Sequence, residues 1–260
     1  MTGKTWQVLT PAMILMLTVS TLTAQSIARR VERAWDGTVR MSFASRADVC
    51  GNGRNNISTG SSRGNWGKSR DEWEYECEHG PVRVAMDVSG GRITAVRTYV
   101  GGRWKAAGDI VDLGTVGDAE AVDFLLDHAA RGSGSGARDA VFPATLADSV
   151  VVWPRLLAIA RDDTRERGVR TQSVFWVSQA AGEKATEGLA QVVGDAAEDR
   201  EVRLQAVFAI SQRHAEGVGV LIKIARTSKD PEIRKQAIFW LGQSHDPRAI
   251  EFFESVLTGK

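Results

Sequence analysis

One eight-residue pattern is written three times in the C-terminal half of this chain, and it restricts the fold more than any other feature. Val169-Arg170-Thr171-Gln172-Ser173-Val174-Phe175-Trp176 recurs as Val202-Arg203-Leu204-Gln205-Ala206-Val207-Phe208-Ala209 and as Ile233-Arg234-Lys235-Gln236-Ala237-Ile238-Phe239-Trp240, at offsets of 33 and 31 residues. Within each copy the apolar residues fall at helical spacing. A period of this size marks stacked helical hairpins, in which each unit buries its apolar face on its neighbours. Phe142 precedes Phe175 by 33 residues, so a degenerate earlier copy comes first. A solenoid is expected over residues 119–257, as four helical pairs and a closing helix.

Upstream the period changes to two. Val39, Met41 and Phe43 alternate with Arg40 and Ser42, and Trp73, Tyr75 and Cys77 alternate with Glu72, Glu74, Glu76 and Glu78. Val82, Val84, Met86 and Val88 form a third run, and Ile93 to Val100 a fourth. Each reads as a strand with one wet face. His79-Gly80-Pro81 and Ser89-Gly90-Gly91-Arg92 are short enough for hairpins, and Gly supplies the positive φ that such turns need. Residues 37–105 are therefore expected to be a small antiparallel sheet, followed by a linker over 106–118. Residues 25–36 form an N-terminal segment that could open as a helical turn. The fold class is α+β, a sheet followed by an α-solenoid. Val49 to Arg70, rich in Gly, Asn, Ser and Arg, is expected as a mobile loop. The four glutamates suggest either a cation or basic-partner contact or, with Arg83, Arg92, Arg97 and Arg103 on neighbouring strands or turns, a charge-paired wet face.

Aligned, each repeat shows an apolar first helix, a short acidic turn, and a second helix that opens with Val-Arg or Ile-Arg. Asp199-Arg200-Glu201-Val202-Arg203 and Asp230-Pro231-Glu232-Ile233-Arg234, each followed by Ala206 or Ala237 and by Ile210 or Leu241, resemble bacterial HEAT repeats. The resemblance extends to the short HEAT-like class of the phycobilin lyases. It implies an Asp–Arg ladder between successive repeats and a concave face lined by the second helices, in modules that mostly bind proteins. No lyase motif carries over residue by residue. The first copy lacks Val-Arg at Gly136-Ala137 and Glu166 replaces the capping Asp in the second, as suits end repeats that meet the sheet. Asp230-Pro231 and Asp246-Pro247 are N-caps followed by the residue best tolerated in the first helical turn.

The N-terminus has Lys4, an apolar run from Pro11 to Leu22, and then Thr23-Ala24-Gln25-Ser26. That order describes a secretory signal peptide over residues 1–24, cut after Ala24, with Ala28 as a second candidate; the alternative is an uncleaved anchor. Two cysteines, Cys50 and Cys77, fit an exported chain as one disulfide, with free thiols as the alternative. A periplasmic or extracellular location follows. The net charge of +1 leaves no basic footprint for nucleic acid.

Chemical motifs are sparse. Ser62 to Ser69 ends like a phosphate loop, but Ser62 stands where Gly is required and a strand pattern follows. His79, His128, His214 and His245 have no ligand spacing, and no serine sits in a nucleophile elbow. No catalytic, metal or cofactor residue is assigned. The repeats offer a binding strip instead: Gln172, Gln205 and Gln236 share one position, and Gln179, Gln212 and Gln243 another, two turns on. Trp176 and Trp240 flank these amides, with Ala209 leaving space between them. Gln179, Gln205, Gln212, Gln243, Trp176 and Trp240 are thus the candidate binding residues for a polypeptide. The competing reading has the tryptophans packed between repeats and the glutamines capping helix ends. The functional expectation is a non-enzymatic protein-binding or scaffold protein of the bacterial envelope. Alternatives are a purely architectural envelope component, and a lyase or hydrolase with its site between sheet and solenoid.

Overall fold

The computed structural model describes residues 27–54, 56–59, 77–106, 110–179 and 183–259. The expected leader, the phosphate-loop lookalike and the strand residues Glu72 to Glu76 lie outside them. A first helix, α1, covers residues 27–33. The strands are β1 (Gly37–Phe43), β2 (Val49–Gly51), β3 (Ile57–Thr59), β4 (Val82–Ser89), β5 (Arg92–Val100) and β6 (Ile110–Thr115). Helices follow as α2 (Asp118–Arg131), α3 (Gly134–Asp139), α4 (Val141–Thr145), α5 (Trp153–Arg161) and α6 (Arg167–Ser178), then α7 (Glu183–Gly194), α8 (Arg200–Ser211), α9 (His214–Thr227), α10 (Pro231–Gln243) and α11 (Pro247–Thr258).

The main sheet has the order β5-β4-β1-β6. Val39, Met41 and Phe43 of β1 and Val82, Val84 and Met86 of β4 are fully buried, as their alternation predicts. Gly90 and Gly91, both at positive φ, close the β4–β5 hairpin. Two expectations are corrected. The segment 106–118 is more than a linker, because it supplies β6, which pairs with β1 in parallel, Thr38 opposite Ile110 and Ser42 opposite Thr115. The register slips between Arg40 and Ser42, opposite Gly114 at positive φ. Nor is the described part of Val49–Arg70 an unpaired loop: β2 and β3 pair antiparallel, with Val49, Cys50 and Ser58 buried. Cys50 and Cys77 form a disulfide, with Cα atoms 5.2 Å apart, and beside it Glu78 bridges Gly51. Among the described residues His79-Gly80-Pro81 therefore leads from that bridge into β4, whose antiparallel neighbours are β1 and β5.

The anticipated glutamate–arginine pairing is also rearranged. Arg97 pairs with Asp87, Nη2 to Oδ1 at 2.7 Å, and that guanidinium holds the Asp87 carboxyl below its ordinary value. Arg83 donates to the carbonyls of Gly101 and Gly102, and the Glu78 carboxylate accepts the Gly102 N–H at 2.9 Å.

The helical half is built as the repeat predicts. Val169, Val202 and Ile233, the first apolar residues of the three copies, are completely buried. Asp199, Asp230 and Asp246 cap α8, α10 and α11. The ladder forms as well. Arg170 Nε donates to the Ala160 carbonyl at 3.1 Å and its Nη2 to Glu198; Arg203 Nε donates to the Val193 carbonyl at 3.0 Å and its Nη1 to Asp230 at 3.2 Å. The acid in the upper rung is Glu198, next to the capping Asp199. Glu166 does not cap α6 through its side chain and instead accepts the Gly134 N–H at the start of α3.

Sheet and solenoid share one buried core, from Val39 and Met86 through Leu125 and Leu146 to Leu241. The junction is close because of Gly136. A Cβ there would stand 3.0 Å from the Ile93 carbonyl oxygen and 3.1 Å from Thr94 carbonyl carbon, so the residue that replaces the repeat's usual pattern lets α3 lie on the edge of β5. Further ties are Arg46 N–H to the Leu146 carbonyl and Asp148 N–H to the Ala44 carbonyl.

Gly136→Ala should lower stability by about 1–3 kcal/mol, the usual cost of overpacking a tight contact, read by urea denaturation. Arg203→Met should destabilise the protein more than the exposed-pair variant below, because it removes the donors to the Val193 carbonyl and to the Asp230 carboxylate. Arg167→Met, at an exposed pair with Glu201, should cost about 1 kcal/mol or less in the same assay.

Candidate functional site

Residues three and four apart share a helix face, so Gln172, Phe175 and Gln179 lie on one side of α6. Gln205, Phe208 and Gln212 take the same side of α8, and Gln236, Phe239 and Gln243 that of α10. The two amide rows therefore enclose a row of aromatic rings. Phe142 of α4 stacks on Trp176 at 4.7 Å between centroids, and Trp176 meets Phe175 edge to face at 5.0 Å. Phe175 stacks on Phe208 at 6.5 Å, and Phe208 packs on Trp240 at 5.2 Å. Phe239 completes the row at 5.0 Å from Trp240 and is 51% exposed. Phe175, Phe208 and Phe239 thus occupy equivalent places along a stack, each ring within van der Waals reach of its neighbours.

The spine corrects one sequence expectation and missed one residue. Ala209 is buried and leaves no open space; Phe208, beside it in sequence, fills the interval between the two tryptophans together with Phe175. A Phe at the same repeat position in all three copies was the available signal. Trp176 and Trp240 are half-buried against the core, so they do pack between repeats, and their indole nitrogens are enclosed without a hydrogen-bond partner.

The candidate glutamines divide. Gln179 and Gln212 are the C-cap residues of α6 and α8, and each donates its side-chain amide to the preceding serine, at 3.0 Å to Ser178 and 3.2 Å to Ser211. Both residues are exposed. Gln205 is half-buried in mid-helix, and Gln243 is exposed at the end of α10. Gln212, Trp240 and Gln243 come together around one cleft of ≈ 430 Å³ between the α8–α9 and α10–α11 turns. Val218 and Leu221 contribute apolar wall, and Ser244, His245 and Asp246 the rim. Trp176 and Gln179 lie two repeats away on the same spine, outside this cleft.

The cleft is electrically quiet. Its one carboxylate, Asp246, is gripped by Arg248 through Nε at 2.9 Å and Nη2 at 2.7 Å and accepts the Arg248 N–H; these bonds hold its pKa down to about 2. The acid is ionised but already paired. What the surface offers a ligand is amide hydrogen bonding, an indole face and apolar wall, chemistry suited to polypeptide backbone and uncharged side chains.

Among the described residues no group of three or more His, Cys, Asp or Glu is arranged to hold a metal. His79 Nδ1 lies 3.0 Å from the Val49 carbonyl in the disulfide region. His128, on α2, is largely buried; removal from water lowers its pKa from 6.5, and the Gly136 backbone opposes that shift. The folded protein therefore takes this proton less readily than the unfolded chain. Stability should fall as pH drops below about 6.5 and level off once pH passes the depressed native value. A His128→Gln variant should show a shallower decline over that window in pH-dependent thermal unfolding.

Residues 186–260 match the family model for HEAT repeats, a span that contains α8 to α11 and the whole ≈ 430 Å³ cleft. No curated protein matches the chain. The C-terminal helices are thus similar to HEAT repeats over residues 186–260, and the helical half is joined through a common core to a four-stranded sheet.

Proposed function

We propose that the protein is a non-enzymatic binding protein or scaffold whose second-helix strip holds an extended segment of another polypeptide. HEAT repeats commonly mediate protein–protein interaction, and the observation that carries the reading is the convergence of Gln212, Trp240 and Gln243 on one neutral cleft. An extended segment lying along the spine would meet an aromatic face in each repeat and amides on both sides. The half-exposed indole of Trp240 and the exposed Phe239 are the anchors.

We place the protein in the bacterial envelope, periplasmic or extracellular. The disulfide supports this, since such bonds persist in oxidising compartments, and no helix among the described residues is long and apolar enough to cross a membrane. The alternative, a lyase or hydrolase working between sheet and solenoid, would draw on a second cleft there, which contains His128. The His128 Nε2 atom makes no hydrogen bond among the described residues, and Ser133 lines the same cleft.

The test places a photo-crosslinking residue at Gln212, at Gln243 or, as a control, at exposed Ala119 of α2, and identifies captured polypeptides from the envelope fraction. Crosslinks should form at the first two positions. The double variant Gln212→Ala with Trp240→Ala should reduce capture by about tenfold or more, as expected when a binding anchor worth over 1.4 kcal/mol is lost. Unchanged capture by the double variant would remove the strip from the function.

A further inference from the structure

The second cleft carries an inference of its own, independent of the repeat strip. It measures ≈ 720 Å³ and opens where α1, the β4–β5 turn and the α2–α3 corner meet. That volume lies within the range of small-molecule sites, which favour junctions between structural units. Val31, Ile93 and Phe124 supply an apolar floor from three different elements. Val31 and Phe124 are buried and also belong to the common core or pack on it, as Ile93 does; the floor is therefore fixed in place by the fold.

The charges around this floor fall into two classes. Asp127 and Arg131 are committed, because Asp127 is paired with both Arg131 and Arg155, the latter at 3.0 Å. Glu32 of α1 and Arg92 of β5 also line the cleft, and neither makes an ion pair or a side-chain hydrogen bond among the described residues. They come from different elements, and Gly91 donates its N–H to the Trp35 carbonyl at 2.8 Å, fixing α1 to the hairpin. One uncommitted anion and one uncommitted cation thus face the same apolar floor.

A second observation marks the same corner. Trp35 is held at a positive φ of 52, a conformation that costs a bulky residue on the order of 1 kcal/mol or more and that persists only where surroundings impose it. The residue nevertheless remains 65% exposed, and its ring flanks Gly91, whose substituted Cβ would lie 3.6 Å from the indole. The indole therefore lies against Gly91, which lines the cleft, three residues on from Glu32; an ammonium group at that corner could meet both carboxylate and ring.

We propose that this junction cleft binds a small apolar zwitterion, an amino acid or short peptide with an apolar side chain. The ammonium group sits between Glu32 and the Trp35 ring, the carboxylate pairs with Arg92, and the apolar side chain lies on Val31, Ile93 and Phe124. A molecule with only one of the two charges leaves either Glu32 or Arg92 uncompensated at the mouth.

Three probes of one shape separate the contributions: L-phenylalanine, phenethylamine, which lacks the carboxylate, and 3-phenylpropanoate, which lacks the ammonium. Each is titrated into the whole protein by calorimetry and by amide NMR. Phenylalanine should saturate, with shift changes at Gly91, Arg92 and Ser133, and should bind about tenfold or more tightly than either analogue, one charge pair being worth about that factor. Arg92→Gln should reduce phenylalanine to the level of phenethylamine, and Glu32→Gln to the level of 3-phenylpropanoate, with thermal unfolding unchanged because both side chains are exposed. Equal binding of the three probes would show an apolar hollow without charge recognition and would overturn the proposal. So would absence of saturation by phenylalanine, or unchanged affinity in both variants.

Discussion

Two mostly buried guanidinium groups hold the repeats in register, and the surface features of the helical half depend on that register. Arg170 and Arg203 are largely removed from water, so each must satisfy its charge and its donors inside the protein. Each does so by joining three pieces of chain: the C-terminal carbonyl of the preceding helix, its own helix, and the acid that opens the next repeat. A carbonyl at a helix C-terminus carries the negative end of the helix dipole, which adds to the attraction. The rungs fix how far each hairpin is displaced from the one before it. Because the displacement repeats, a Phe at one position in each second helix becomes a row of rings, and a Gln becomes a row of amides. The ladder stops at Arg234, which donates to the Ser228 carbonyl and finds no acid beyond it among the described residues.

The repeat was readable because its physical requirements are local and written three times. Apolar spacing, the Arg after the first apolar residue and the capping Asp each appear in sequence where they act in the structure. The sheet was less legible. β6 carries a single short run, Ile110 to Leu113, interrupted by Asp112, and what makes it a strand is pairing with β1 some seventy residues earlier, together with the contact between Arg40 and Asp112 at 2.8 Å. Neither partner announces the other. The β2–β3 pair was hidden for a different reason: its composition is that of a loop, and of its six residues Val49, Cys50, Gly51 and Ser58 are withdrawn from solvent.

The candidate site shows the same division. Periodicity placed Gln212, Trp240 and Gln243 on equivalent faces, and they do share a cleft. It could not show that the partner of an Ala in one repeat is a neighbouring Phe that closes the gap, because ring direction depends on packing across repeats. The junction cleft was beyond sequence reading altogether. Glu32, Arg92 and Phe124 lie far apart along the chain and on three elements, brought to one corner by the Gly91–Trp35 bond that ties α1 to the hairpin and by Gly136, which admits α3 against the β5 edge.

The parallel pairing of β1 with β6 has a consequence for the order in which the molecule assembles. The ladder bonds between successive helical pairs join residues 27 and 28 apart in sequence, so the solenoid can zip from any of its hairpins with little loop-closure entropy to overcome. The sheet cannot be finished that way: its fourth strand has to wait until the intervening segment has been arranged, and contacts of such long sequence separation form late. Since β6 leads directly into α2, the last ladder to close is also the one that draws the two halves together. The junction is therefore a late-forming seam, completed only after the elements on either side already exist.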